Sequence, residues 1–277
     1  MSFLKSLTRR AVHLASIGAA LAGALALAAP AGASTPRCEA IAIGVSHYRG
    51  GDNSLASPVH DAAAFAGAIA RFGCNVTIVR NPNTEQFATA LAAFVERARG
   101  AERAIVYYSG HGLQTNGEAY FLPSDASFQR EPGLFRRDYL SVNSVLQKLG
   151  EAGVGFRWII SDACRNFPDF LTSEAQQSFG LAEQRLPGTH AVVSYASAQG
   201  EYSRDTFRQF GLSLYTAALV DTMQRAERFE IRDLLMTARV MTVKAMRESE
   251  SRSLQQPWTA DSLMRSEVFE RVAARAP

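Results

Sequence analysis

The sequence lacks the common motifs for binding phosphate groups and metal ions. Its 277 residues contain no glycine-rich phosphate loop. His47, His60 and His190 show no metal-ligand spacing with cysteine or with one another. We therefore predict neither a bound cofactor nor a metal site.

The chain has no excess of basic over acidic residues once the first 33 residues are left out. Lys5, Arg9 and Arg10 belong to that segment, and without them the basic residues number the same as the 26 acidic ones. The overall pI of about 8.9 therefore gives no reason to expect binding to nucleic acid.

The first 33 residues have the pattern of a secretory signal peptide. The three basic residues precede an uncharged, apolar stretch at 11–28, and Ala31-Gly32-Ala33 supplies a small-residue cleavage signal. The stretch is short and rich in alanine for a stable membrane span. We predict cleavage after Ala33 and a periplasmic or secreted protein that keeps no membrane anchor after processing.

The remaining chain alternates strands with helices, which predicts an α/β fold with a mostly parallel sheet covered by helices on both faces. Pro58 marks a helix start, and Thr84 is the predicted N-cap of the second helix. The predicted strands are 39–46, 75–79, 104–108, 156–161 and 190–195. The predicted helices are 58–73, 84–98, 141–150, 212–225 and 231–247.

Two of the predicted strands end next to a reactive side chain. The strand at 104–108 leads into Ser109-Gly110-His111-Gly112, and the strand at 156–161 leads into Asp162-Ala163-Cys164. Sites in open α/β sheets form at the carboxyl ends of the strands. Neighbouring strands would therefore hold an imidazole base beside a thiol nucleophile. A satisfied polar histidine and a buried structural cysteine are the other interpretation of the same residues.

The order of these motifs resembles the caspase-like cysteine peptidases, within them the metacaspase and paracaspase branches and the bacterial orthocaspases. Cys164 follows His111 by 53 positions, close to the spacing of about 50 in caspases. The resemblance implies a six-stranded sheet and one peptidase domain over residues 38–270. The elements that carry it are I-A-I-G-V-S at 41–46, P-V-H-D-A at 58–62, S-G-H-G at 109–112, D-A-C-R at 162–165 and Q-P-W at 256–258.

The resemblance assigns catalytic roles to His111 and Cys164. The imidazole would activate the thiol and later return a proton to the leaving amine. The backbone N–H groups of Gly112 and Cys164 are the candidates for binding the oxyanion. The polar stretch at 171–188 corresponds to the linker between the large and small subunits of caspases.

The residues around the substrate pocket differ from those of caspases that select aspartate. Asp162 stands where caspases have glutamine, and Asp61 where they have arginine, which resembles the acidic pocket of metacaspases and paracaspases. Asp205 falls where paracaspases place a third carboxylate. These acids predict protein or peptide substrates with Arg or Lys before the cut. The alternatives are a helix-dipole partner for Asp61 and a solvated loop acid for Asp205.

Metacaspases often need calcium, but only scattered acids follow Cys164 here, without an Asp pair. Calcium activation is therefore not supported by an acidic cluster. The other two cysteines are Cys38 and Cys74, and the first two strands are adjacent in the fold that the sequence resembles. An exported protein would therefore form a Cys38–Cys74 disulfide and keep Cys164 as its free thiol.

The sequence thus predicts an exported cysteine endopeptidase that cuts after Arg or Lys. Two other functions fit the same residues. One is a caspase-fold protein that binds peptides or a partner without cutting, and the other is a different thiol amidohydrolase. Intact His111 and Cys164 argue against the first of these.

Overall fold

A computed structural model gives the fold over residues 36–49, 53–115, 118–126, 140–163, 186, 190–198, 211–249 and 255–273. The predicted signal peptide, Cys164 and Asp205 lie outside these described residues. So does the predicted linker at 171–188, except for residue 186.

Strands and helices alternate through most of this part of the chain. Of the five helices found there, none is both long and apolar enough to cross a bilayer. The strands are β1 (Cys38–Gly44), β2 (Cys74–Arg80), β3 (Arg103–Gly110), β4 (Gly112–Thr115), β5 (Glu118–Phe121), β6 (Leu140–Ser141), β7 (Phe156–Ala163), β8 (Ala191–Tyr195), β9 (Arg228–Glu230), β10 (Trp258–Asp261) and β11 (Val268–Glu270). The helices are α1 (Pro58–Ala70), α2 (Thr84–Arg97), α3 (Val142–Glu151), α4 (Leu214–Arg225) and α5 (Ile231–Glu248).

The central sheet has six strands in the order β10-β8-β7-β3-β1-β2. All neighbours in it run parallel except β10, which pairs antiparallel with β8 at the edge. The predicted α/β fold, with a mostly parallel six-stranded sheet, is confirmed. Ser109 pairs with Gly44 on one side and with Asp162 on the other, so the carboxyl ends of β1, β3 and β7 lie in one row.

Each face of the sheet builds its own core, because successive strand residues point to opposite faces. Ile43, Val106 and Tyr108 belong to the core on the face covered by α2 and α3. Ala42 and Tyr107 belong to the core on the other face, which α1, α4 and α5 cover. Helices therefore flank both faces, as the alternating pattern predicts.

Helix α1 begins directly against the end of β1. A Cβ atom on Gly44 would lie 2.3 Å from the carbonyl oxygen of Pro58, so only glycine allows this approach. Pro58 opens the helix, where its missing N–H is not needed. The close contact brings Asp61, one turn into α1, to the row of strand ends.

The prediction that Thr84 caps α2 is wrong. Asn83 is the N-cap: its side chain accepts from the backbone N–H of Gln86 at 2.9 Å, and the Gln86 side chain accepts from the N–H of Asn83 at 3.1 Å. The Thr84 hydroxyl donates to Asp125 instead, at 2.9 Å.

Three sets of short strands are absent from the sequence prediction. They are the small sheet β4-β5-β6, the antiparallel pair β9 and β11, and the edge strand β10. Each of these strands has only two to four residues. A run this short shows no clear alternation, so its pairing depends on partners that are distant in the chain.

Cys38 and Cys74 are the first residues of β1 and β2 and lie opposite each other in the parallel register. Their Cα atoms are 4.4 Å apart, and a disulfide joins the two side chains. This end of the sheet is the opposite one from His111.

Candidate active site

The candidate site lies at the carboxyl ends of β3 and β7. The last register pair between these strands is Gly110 with Ala163. His111 is the next residue after Gly110, and Cys164 is the next residue after Ala163. Because Cys164 lies outside the described residues, the geometry of the site is built from His111 and the acids.

The imidazole of His111 is held by a backbone carbonyl group. Its Nε2 atom lies 2.8 Å from the carbonyl oxygen of Asn53. A carbonyl oxygen only accepts hydrogen bonds, so Nε2 carries the hydrogen of the neutral ring and Nδ1 is the basic nitrogen. Any base chemistry of His111 therefore runs through Nδ1. The sequence gives no signal for Asn53, because a backbone carbonyl contributes the contact.

Two tyrosines hold the backbone of His111. The Tyr48 hydroxyl accepts from the His111 N–H at 2.7 Å, and the centres of the two rings are 4.6 Å apart. The Tyr108 hydroxyl lies 2.6 Å from the His111 carbonyl oxygen and 2.8 Å from that of Leu122. Burial raises the pKa of Tyr108, which keeps its hydroxyl a proton donor.

Gly110 lets these hydroxyls reach the backbone. Its φ is +154°, and a Cβ atom there would lie 2.6 Å from both the Tyr48 and the Tyr108 hydroxyl oxygens. Only glycine combines this backbone conformation with this contact. Gly112 starts β4 and pairs with Phe121. The oxyanion role of its N–H stays a prediction.

Asp61 and Asp162 lie close together and are both buried, with 0% and 4% of their surfaces exposed. Asp61 Oδ2 accepts from the hydroxyls of Ser57 and Ser109, at 2.8 and 2.9 Å. Its Oδ1 accepts from the backbone N–H of Ser213 at 2.8 Å. The donors are neutral groups, so they stabilise a carboxylate without cancelling its charge.

Asp162 is held by the start of α4. Its Oδ2 atom accepts from the Ser213 hydroxyl and, at 2.5 Å, from the Thr216 hydroxyl. Ser213 therefore contacts both acids, through its amide on one side and its side chain on the other. The sequence carries no signal that would pick out Ser213 or Thr216 as part of this site.

Burial and the short distance between the two acids change the pKa of Asp61. Burial, and after it the charge of Asp162, raise the pKa of Asp61 from 3.8 to about 8, against the opposing effect of its hydrogen bonds. The proton of Asp61 then lies on Oδ2 and is donated to the hydroxyl of Ser57 or of Ser109, since a hydroxyl can accept as well as donate. Oδ1 faces an amide that only donates. The pair therefore carries about one negative charge at neutral pH.

The structure thus brings Asp61 and Asp162 together at the strand end that leads to Cys164, and His111 ends the neighbouring strand. It does not describe Asp205. No group of three His, Cys, Asp or Glu side chains that could hold a metal ion occurs in the part of the chain that the structure describes.

A histidine thus follows one central strand of the sheet, and a cysteine follows its neighbour in the sequence. Comparison with known families matches residues 37–269 to the caspase domain. The chain belongs to this family, and at the level of the family it is a cysteine peptidase with protein substrates.

Among solved structures, the chain is similar to caspase-1 from Spodoptera frugiperda. The two share 17% sequence identity with a TM-score of 0.60, over 84% of this chain and 89% of that chain. At this identity the likeness shows the caspase fold alone. A comparison with curated proteins finds no match.

Proposed function

We propose that this chain is an exported endopeptidase of the metacaspase and paracaspase type that cuts after Arg or Lys with a His111–Cys164 dyad. The observation that carries the proposal is the buried pair of acids. Asp162 lies two residues before Cys164, and Asp61 meets it from α1. In this proposal the two acids form a negatively charged recess for the side chain before the cut, because negative charge near the nucleophile favours a cation there.

The dyad would work through Nδ1 of His111. This nitrogen takes the proton of the Cys164 thiol, and the thiolate attacks the carbonyl carbon of the substrate. The imidazolium keeps its Nε2–H donated to Asn53 and gives the Nδ1 proton to the leaving amine. Water then attacks the thioester, with Nδ1 again as the base, and releases the new carboxyl group.

Two backbone N–H groups complete the proposed machinery. Those of Gly112 and Cys164 would bind the oxygen that becomes negative in the tetrahedral intermediate. In the recess, a guanidinium group can bond to more than one carboxylate at once because its donors lie in a planar fork. Asp205 is proposed as a third carboxylate of the same recess.

Export is part of the proposal and rests on the signal pattern at 1–33. A periplasmic or extracellular location would supply the oxidant for the Cys38–Cys74 bond. We predict one free thiol per molecule, Cys164, when the denatured and unreduced protein is titrated with a thiol reagent. Three free thiols would contradict the disulfide.

A panel of fluorogenic peptides tests the proposed activity. The purified protein is incubated with matched peptides that carry Arg, Lys, Asp or a neutral residue before the reporter group, with calcium and with a chelator. We expect cleavage of the Arg and Lys peptides only. Faster cleavage of the Asp peptide would overturn the specificity. Tight binding of Arg peptides without any turnover would favour the alternative of a peptide-binding protein.

A further inference from the structure

Helix α4 begins at the two acids and follows the predicted linker in the chain. Ser213, its N-cap, is buried with 2% of its surface exposed. Its backbone N–H donates to Asp61 Oδ1 and its hydroxyl donates to Asp162 Oδ2. Ser213 thus donates to both carboxyl groups.

The proton positions around Ser213 follow from its neighbours. The Ser213 hydroxyl accepts from the Thr216 N–H at 3.1 Å, so its own hydrogen is available to Asp162. The Thr216 hydroxyl likewise accepts from Tyr107 and gives its hydrogen to Asp162. Burial raises the pKa of Tyr107, so this tyrosine remains a donor. Both hydroxyl groups therefore donate to Asp162 in its carboxylate form.

We propose that Ser213 is a specificity-determining residue: it joins Asp61 and Asp162 into one unit and favours the charged form that binds a basic side chain. This inference rests on the proposed cleavage after Arg or Lys. A hydrogen bond to a carboxylate lowers the pKa of the acid. Without the Ser213 hydroxyl, Asp162 would keep a proton to a higher pH, and the pair would bind a guanidinium group less well.

In the part of the chain that the structure describes, the titratable groups around the pair come from four elements. Asp61 lies on α1, Asp162 on β7, Tyr107 on β3 and Tyr215 on α4. Both tyrosines are fully buried and their pKa values are raised, so they stay neutral while the acids titrate. The acids themselves therefore provide the charge that changes with pH in this group.

Ser213→Ala removes the hydroxyl and keeps the backbone N–H. Because this variant also loses a helix cap, Ser141→Ala is its matched control. Ser141 caps α3 through the same bond, from the Ser144 N–H at 3.1 Å, and is not a donor to either acid. Ser213→Thr restores a hydroxyl and should behave like the unchanged protein.

The kinetic readout is the ratio of kcat/KM for an Arg peptide to that for its citrulline analogue, measured from pH 5 to 9. Citrulline has the shape of Arg without the charge. The titration of His111 and Cys164 affects the cleavage of both peptides equally and therefore cancels in the ratio. We expect the ratio to rise with pH in the unchanged protein. In Ser213→Ala the midpoint of the Asp162 step should move up by about one pH unit, which lowers the ratio about fivefold at the original midpoint of that step.

A second readout does not depend on activity. Carbon-13 NMR of labelled aspartate follows the two carboxyl groups through the same pH range, with Asp61→Asn and Asp162→Asn for assignment. A higher midpoint for the Asp162 carboxyl group in Ser213→Ala than in Ser141→Ala supports the role of Ser213. Equal midpoints would overturn it. A shifted midpoint in a protein that cleaves neither peptide would support the effect of Ser213 on the charge of the acids and would contradict the proposed peptidase function.

Discussion

The buried acids at the two ends of the central sheet have opposite kinds of hydrogen-bond partners. At the amino end, Glu267 is 4% exposed and lies 3.3 Å from Arg103 and from Arg265, and 2.6 Å from His190. At the carboxyl end, Asp61 is 0% exposed and takes its hydrogen bonds from two hydroxyls and an amide. The first acid is surrounded by basic side chains, whereas the second is held by neutral donors.

The arrangement at the amino end binds the last strands to the sheet. Arg103 on β3 also donates to the carbonyl oxygen of Val268 at 2.6 Å and lies over the Phe269 ring. His190 accepts at Nδ1 from the Met264 N–H, so it donates from Nε2 to Glu267 as a neutral ring. A buried carboxylate with such partners serves the fold. At the other end no basic side chain is seen to neutralise Asp61 in the described part of the chain, as the proposed binding of a basic side chain requires.

The largest expected effect separates catalysis from folding. Cys164→Ala and His111→Ala should each lower kcat/KM on Arg peptides about 10⁴-fold or more, because either change removes one half of the dyad. Urea denaturation should show little loss of stability, since both residues follow the strands and do not form them. A Cys164→Ala protein that cleaves like the unchanged one would rule out Cys164 as the nucleophile.

The reverse pattern is expected at the amino end. Glu267→Gln should lower the free energy of unfolding by about 3 kcal/mol, because it leaves Arg103 half-buried beside an uncharged group. Activity per folded molecule at 25 °C should stay the same. The matched control is Glu270→Gln: this side chain is 75% exposed and 3.6 Å from Arg228. It should change stability by less than about 1 kcal/mol. Equal stability of the two variants would contradict the role of Glu267.

How far the sequence predicts this contrast depends on the kind of interaction. The strands that lead to His111 and Cys164 have eight residues each and contain shorter apolar runs, and this pattern is local. Asp61 and Asp162 were predicted through the family resemblance, and the structure brings them together. The cluster at Glu267 was not predicted, because its members are separated by up to 164 positions in the chain. Long-range polar contacts leave no periodic signal.

The same reason explains what was missed at the candidate site. Asn53 contributes a carbonyl oxygen, which every residue type has, and Ser213 looks like an ordinary helix cap. Strand β10 has only four residues and lies at an edge. Residue type and spacing reveal reactive side chains, whereas the groups that orient them are set by tertiary packing.

The next effect tests the charge of the recess. Asp162→Asn should lower kcat/KM on Arg peptides about 30-fold, since it removes a buried partner of the guanidinium group. Its effect on a citrulline peptide should be much smaller. Asp205→Asn should have a weaker effect than Asp162→Asn, because the placement of Asp205 rests on the family resemblance alone. Equal losses on both peptides would show that Asp162 supports the fold and does not bind the substrate.

The last effect concerns the dependence of stability on pH. The pKa of Asp61 is raised from 3.8 to about 8 in the folded protein, so the folded state keeps a proton that the unfolded state has released. The contribution of Asp61 to stability therefore falls as pH rises from about 4 to about 8 and levels off above that. One such group gives a slope of at most about 1.4 kcal/mol per pH unit. Asp61→Asn resembles the protonated acid and should remove this slope.

Urea denaturation from pH 4.5 to 8.5 measures the difference between the two proteins. We expect the stability of Asp61→Asn relative to the unchanged protein to grow with pH across this range. Glu267→Gln serves as the comparison, since its acid lies among basic groups and should not produce this rise. A constant difference between Asp61→Asn and the unchanged protein would show that Asp61 is ionised throughout, and that its neutral donors suffice to hold a buried charge.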